Sequence, residues 1–280
     1  MGAVIKAVAT SVNGVETSYL NQGSEAVRQC LEREPGSYDS LDLLINAGIY
    51  PDNHIHEPAF ASMIQGQLSQ SHAAQLSSTF SFDLHNGGGG SLMALSIISG
   101  FIESGRIRHG VVVAGDSKPP GSPAGAVMIG KGAATEGFQA FSQDTYTEHS
   151  GDYRSYSDYT GKELKTFINQ EDTYLSDCLL CVEKSVDSFL TNQAPGMAGI
   201  DLIIPCQSPA GFVSGLADLY GKERLIELNN GHPCYSAGLI LALELAHSKG
   251  SLEAGKKILF INVGPGIIVD LALYANPGRK

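Results

Sequence analysis

Three turns in this chain carry side chains or backbone that could do chemistry. Cys206, in Pro205-Cys-Gln-Ser-Pro209, and His232, in Gly231-His-Pro-Cys234, each sit beyond an apolar run and before a helical pattern. A thiol within reach of an imidazole is a nucleophile and base pair. The third turn is Asp83-Leu-His-Asn-Gly-Gly-Gly-Gly90, which joins the alternating run Thr79–Leu84 to an apolar helical pattern that starts at Leu92 and ends at Glu103-Ser-Gly105. Such a strand-turn-helix unit aims free N–H groups and a positive dipole end at whatever occupies the turn. Here the turn offers no nucleophile. What remains is the backbone of Gly88, Gly89 and Gly90, which could form an oxyanion hole or anion nest.

Each of these residues also has a plainer reading. Cys206 can be a small buried hydrophobe. His232 can hydrogen-bond within the core. Gly87 to Gly90 can allow close backbone packing where a partner's loop approaches. Ser91 lies three positions past the elbow and belongs to the helix's first turn. Cys178-Leu-Leu-Cys181 has redox or metal spacing, but it falls inside a helical pattern without a second pair, so it reads as a core face. His54-Asn-His56 reads as a loop without acidic ligands beside it. No metal and no cofactor is expected.

The elements that must position these turns follow from the hydrophobic pattern. Val4–Val12 reads as a strand, Ser24–Arg33 as a helix capped by Ser24, and Leu41–Asn46 as a buried parallel strand. Glu57–Ser69 is an amphipathic helix; then come the central unit Thr79–Asp116 and a strand at Ala124–Gly130. The second half repeats the order: strand Gly137–Phe141, helix Asp172–Leu190, strand Ile200–Pro205, helix Gly211–Tyr220, a strand-like Leu225–Leu228, helix Ser236–Ala246, and strands Ile258–Val263 and Ile267–Tyr274. Leu41-Asp-Leu-Leu-Ile echoes Ile200-Asp-Leu-Ile-Ile, and Leu84-His-Asn-Gly echoes Leu228-Asn-Asn-Gly, as a duplication would. Residues 1–132 and 133–280 are therefore read as two halves of one compact unit. Right-handed crossovers would stack them as five layers, α-β-α-β-α. Gln143–Gly161 reads as an irregular surface excursion. The glycine run fits neither dinucleotide nor P-loop spacing.

The chain has 280 residues, 42% of them hydrophobic, and a formal charge of -11. That balance argues against a nucleic-acid or anionic-membrane surface. Five widely spread cysteines argue against a disulfide framework. The opening Met-Gly-Ala-Val-Ile-Lys reads as a strand, not a leader, so a cytoplasmic location is expected.

The order and spacing of these turns resemble the ketoacyl synthase III-type condensing enzymes of the thiolase fold, over nearly the whole chain. Their active-site segment reads Phe-Asp-x-x-x-Ala-Cys-x-Gly; Phe82, Asp83 and Gly90 match it, and the catalytic cysteine falls on Gly88. Their Pro-His-Gln-Ala-Asn pattern aligns with Pro205-Cys206, and their Gly-Asn-Thr-Ser with Gly231-His232. A late Gly-Gly-Gly turn that gives an oxyanion N–H aligns with Gly264-Pro265-Gly266, and proline has no N–H to give. The early segment that grips coenzyme A through tryptophan and arginine is largely missing, and the chain has no tryptophan.

The resemblance thus implies a degenerate member whose triad positions are Gly88, Cys206 and His232. It implies a non-catalytic subunit, in a heterodimer or heterotetramer with a catalytic homologue that handles acyl-CoA or acyl carrier protein. Decarboxylative condensation or acyl transfer of fatty-acyl groups would follow, as in the making of alkylquinolones and other secondary metabolites. The family's dimer strand corresponds to Thr79–Leu84, which makes Thr79, Phe80, Phe82, Leu84 and Gly87 the expected interface. The alternative is an active acyltransferase in which Cys206 and His232 form a relocated nucleophile pair.

Overall fold

The computed structural model describes residues 2–12, 18–118, 121–191, 196–228 and 234–277. The first half runs β1 (Gly2–Ser11), α1 (Tyr19–Glu32), β2 (Leu41–Asn46), α2 (Phe60–Leu76), β3 (Phe80–Asp83), α3 (Gly90–Glu103), β4 (His109–Ala114) and β5 (Ala124–Gly132). Its strands form one sheet in the order β1-β5-β4-β2-β3. Strand β2 pairs in parallel with β3 and β4, whereas β5 is antiparallel to β4 and β1.

The second half runs β6 (Gly137–Thr145), β7 (Tyr153–Thr160), β8 (Glu163–Gln170), α4 (Tyr174–Thr191), β9 (Leu202–Pro205), α5 (Phe212–Tyr220), α6 (Gly238–Ser248), β10 (Lys257–Gly264) and β11 (Ile268–Ala275). Its main sheet has the order β6-β11-β10-β9, the same as the first sheet without its last strand. The β7–β8 pair is a separate antiparallel hairpin.

Apolar residues on both faces of each sheet demand a cover on both sides, and the helices supply it. In the middle, α3 and α6 bury Leu95, Ile98, Leu239 and Leu243 against Ile45 and Val112 of one sheet and Ile204 and Phe260 of the other. Outside the first sheet, Val27, Leu31 and Ile64 of α1 and α2 cover Leu44 and Val111. Outside the second, Cys178, Cys181, Phe212 and Leu216 of α4 and α5 cover Ile203 and Leu259. These are the five layers, α-β-α-β-α, that the alternation of patterns implies.

Several local expectations are overturned. Helix α1 begins at Tyr19, not Ser24, because Ser18 caps it by accepting the Asn21 N–H and Asp52 accepts the N–H groups of Tyr19 and Leu20 at 2.9 and 2.8 Å. Leu225–Leu228 is no strand: Leu225 makes one isolated bridge to Ile203, and the Leu228 N–H donates to the Gln207 side chain. The stretch Gln143–Gly161 is largely regular, as the end of β6 and as β7, which pairs with β8.

Asp83 ends β3 and holds α2 in place. Its carboxylate accepts the N–H of Phe60 at 2.6 Å, the N–H of Ala61 at 2.8 Å and the Asn46 amide at 3.1 Å. Asn46 in turn accepts the Tyr19 hydroxyl at 2.5 Å. Asp83→Ala removes a helix cap and strands a half-buried network, so it is expected to cost about 2–3 kcal/mol in a urea unfolding titration, with Asp83→Asn losing less.

Candidate functional site

Three turns from opposite halves of the chain meet around one cavity of about 380 Å³. The β3–α3 elbow brings Gly87 and Gly88, the loop after β9 brings Cys206, Ser208, Pro209 and Ala210, and the β10–β11 turn brings Val263 and Pro265. Tyr153, Ser155, Ile168 and Gln170 of the hairpin form another wall, with Tyr50, Tyr174 and Tyr235 beside them. Gly88 and Cys206 are therefore brought together; His232 lies outside the described residues.

The chain's own packing already requires glycine at this elbow. A Cβ on Gly88 would meet the Val263 carbonyl at 3.0 Å. On Gly89 it would lie 2.2 Å from Asp270 Oδ2 and 2.9 Å from Asn86 Nδ2. Gly87 has φ of +50°, and its Cβ would sit 2.8 Å from the Pro265 ring. The turn and strand of the second half press directly on the elbow, so side chains are excluded at Gly87 and Gly89 and a Cβ at Gly88 is tight.

Cys206 is buried, and its thiol donates to the Ser208 carbonyl at 3.2 Å while its sulfur accepts the Val263 N–H at 3.4 Å. Burial pushes the thiol up to about 12, opposed by those backbone contacts and reinforced by the charge of Asp270. It is a neutral thiol at physiological pH, short of the thiolate that a nucleophile needs.

Asp270 is buried on β11, next to the start of α3, where its Oδ1 accepts from the Gln143 amide at 2.6 Å. Burial pushes its carboxyl up to about 6. A lone acid inside the apolar run Ile267–Tyr274 was the one sequence signal for it. Asp116 is a second missed acid: it accepts N–H groups from Ile49, Tyr50 and Ser236 and the Ser236 hydroxyl at 2.7 Å, tying the end of β4 to the approach to α6. The tyrosines around the cavity carry no spacing that would have flagged them. Away from the cavity lining, His149, Asp152 and Asp177 bring ligand atoms within 4.8 Å of one another, with His149 hydrogen-bonded to Asp152 at 2.7 Å.

The expected interface residues differ in exposure within the chain. Strand β3 is the edge of its sheet, paired only with β2 on one side, and Phe80 is 66% exposed. Phe82 and Leu84 are half-buried and pack on the central layer. Thr79 is buried, and its hydroxyl donates to the Leu41 carbonyl at 2.8 Å. Gly87 faces Pro265 and the cavity.

No protein-family model matches the chain. In solved structures, β-ketoacyl-[acyl-carrier-protein] synthase III of Thermus thermophilus superposes with a TM-score of 0.82 at 17% identity, covering 99% of this chain and 100% of that one. The chain adopts the thiolase fold. A variant of OleA from Xanthomonas campestris, with lauric acid and lauroyl-CoA bound, shares it with a TM-score of 0.79 at 14% identity, covering 98% of this chain and 99% of that one. By sequence, β-ketoacyl-[acyl-carrier-protein] synthase III of Rickettsia felis is 24% identical over 254 residues, which are 85% of this chain and 78% of that protein. Relatives by sequence and by structure thus include ketoacyl synthase III enzymes. Among the described residues no helix of this thiolase-fold chain is long and apolar enough to cross a membrane.

Proposed function

We propose that this chain is a non-catalytic, ketoacyl synthase III-like subunit that supports a catalytic homologue in condensation or transfer of fatty-acyl groups, in secondary-metabolite biosynthesis. The observation that carries the reading is the elbow. At the position of the family's nucleophile stands Gly88, with the Val263 carbonyl closing on the space a side chain would need. The thiol across the cavity, Cys206, is held neutral by burial. Neither can be acylated readily, so the acyl group is carried by the other subunit, with acyl-CoA or acyl carrier protein docking there.

The exposed edge of β3 supports the pairing. An edge strand with free N–H and C=O groups beside an exposed phenylalanine is a template for another strand, and a partner's β3 satisfies it. The net charge of -11 complements a partner with a basic carrier-protein site.

Incubation of the isolated chain with octanoyl-CoA is expected to leave its intact mass unchanged. An octanoyl adduct mapped to Cys206 would overturn this reading in favour of the relocated Cys206 and His232 pair. Labelling of Cys30 or Cys178, both core thiols, would mark adventitious chemistry on opened chains.

A further inference from the structure

The cavity at the elbow, about 380 Å³, is lined by tyrosines and neutral polar groups among the described residues. Tyr50 and Tyr235 meet edge to face, with centroids 5.9 Å apart and planes at 77°. Tyr153 and Tyr174 form a second pair at 5.3 Å. Ser155, Gln170 and Ser208 add neutral polar groups, and no charged side chain lines the cavity among the described residues. The Tyr50 hydroxyl is fixed by Ser155 Oγ at 2.9 Å, which ties the hairpin to the loop after β2.

These features select a ligand. Two aromatic pairs favour ring faces and edges over a flexible chain, because ring quadrupoles reward stacked and edge-on neighbours. Phenolic hydroxyls, kept protonated at Tyr153, Tyr174 and Tyr235 by burial, offer neutral hydrogen bonds. Among the described residues the lining supplies no cation for an acid and no anion for an amine, and burying an unpaired charge is costly. A cavity of about 380 Å³ lies at the small end of ligand sites and suits a compact molecule.

We infer that this cavity binds, without covalent attachment, a neutral planar aromatic molecule of one or two fused rings that carries a hydrogen-bonding group. The inference rests on the reading that Gly88 and Cys206 do no covalent chemistry. Bound there, the ring would bridge the hairpin and the elbow and so connect ligand occupancy to the shape of the chain beside β3.

The probe is 2-naphthol, titrated into the full chain by calorimetry, with 2-naphthoate as the charged match and 1-decanol as the neutral chain. We expect saturable 2-naphthol binding with a Kd of roughly 10–100 μM, in line with a ligand of this size. Binding of 2-naphthoate should be at least about tenfold weaker, since no counter-charge awaits it. Tyr50→Leu and Tyr235→Leu, which keep bulk but remove the ring, should each weaken 2-naphthol by about threefold to tenfold. Phe80→Asp, on the sheet edge, should leave it unchanged. Absence of saturable binding, equal binding of 2-naphthoate, or tighter binding of 1-decanol would each overturn the inference. Those outcomes leave the intact-mass result untouched, whereas an octanoyl adduct on Cys206 would sink the non-catalytic reading whatever 2-naphthol does.

Discussion

Gly89→Leu is expected to unfold this chain. A Cβ at position 89 would lie 2.2 Å from Asp270 Oδ2 and 3.2 Å from the Asn86 carbonyl, inside any tolerable contact. Asp270 cannot retreat easily, because β11 is hydrogen-bonded on both sides, to β10 and β6. Gly89 itself stands at the start of α3, in the layer shared by both sheets. Overpacking at such a point adds steric strain to a disturbed buried carboxylate, and the loss should exceed about 4 kcal/mol, a large part of a typical domain's stability. Soluble yield and the urea midpoint by circular dichroism read it directly. Phe80→Asp makes the contrast: at an exposed edge position it should change stability by no more than about 0.5 kcal/mol, yet it should abolish co-purification with a catalytic homologue. A soluble Gly89→Leu chain with an unchanged midpoint would contradict the packing described at the elbow. Undiminished co-purification of Phe80→Asp would remove β3 as the interface.

Gly88→Cys is expected to yield no condensing activity and an unreactive thiol. On the proposed reading, a sulfur at position 88 would still lack donors around it, since Pro265 has no N–H and Cys206 would stand in place of the histidine that binds the malonyl carbonyl. Each missing group costs about 10²–10³-fold, so turnover should stay at least about 10⁴-fold below that of an intact enzyme. The helix offers less help than its position implies. Asp270 places a carboxylate against Gly89, where the positive end of α3 would otherwise favour a thiolate. The pH profile of iodoacetamide alkylation should therefore place the thiol introduced by Gly88→Cys above an ordinary cysteine, and adding Asp270→Asn should lower it.

Asp270→Asn alone has its own signature. The folded carboxyl is pushed up to about 6 by burial. A raised folded value means its protonated form favours the native state. That contribution is full below an unfolded aspartate's range, near pH 4, and is lost as pH rises through about 6. Asp270→Asn should flatten stability across that window and gain about 2–3 kcal/mol at pH 7.5, relative to a native chain that must bury the charge. Robust turnover from Gly88→Cys, or a stability curve unmoved by Asp270→Asn, would each refute the part of the site it addresses.

The sequence by itself determined the order of the elements and their stacking in five layers, because strand and helix periods are local properties and apolar runs on both sheet faces leave few ways to cover them. It also determined that glycine alone occupies positions 87–90 of the turn before α3. What tertiary structure alone decided lies between residues far apart in the chain. Asp52 starts α1 at Tyr19, and Gln207 draws Leu228 out of the sheet. Asp270 and Pro265, nearly two hundred residues beyond the elbow, explain why Gly87 and Gly89 have no side chains. The tyrosines of the cavity come from the loop after β2, the hairpin, the start of α4 and the approach to α6. No periodicity links such positions, because their proximity is produced by the packing of one sheet's ends against the other's.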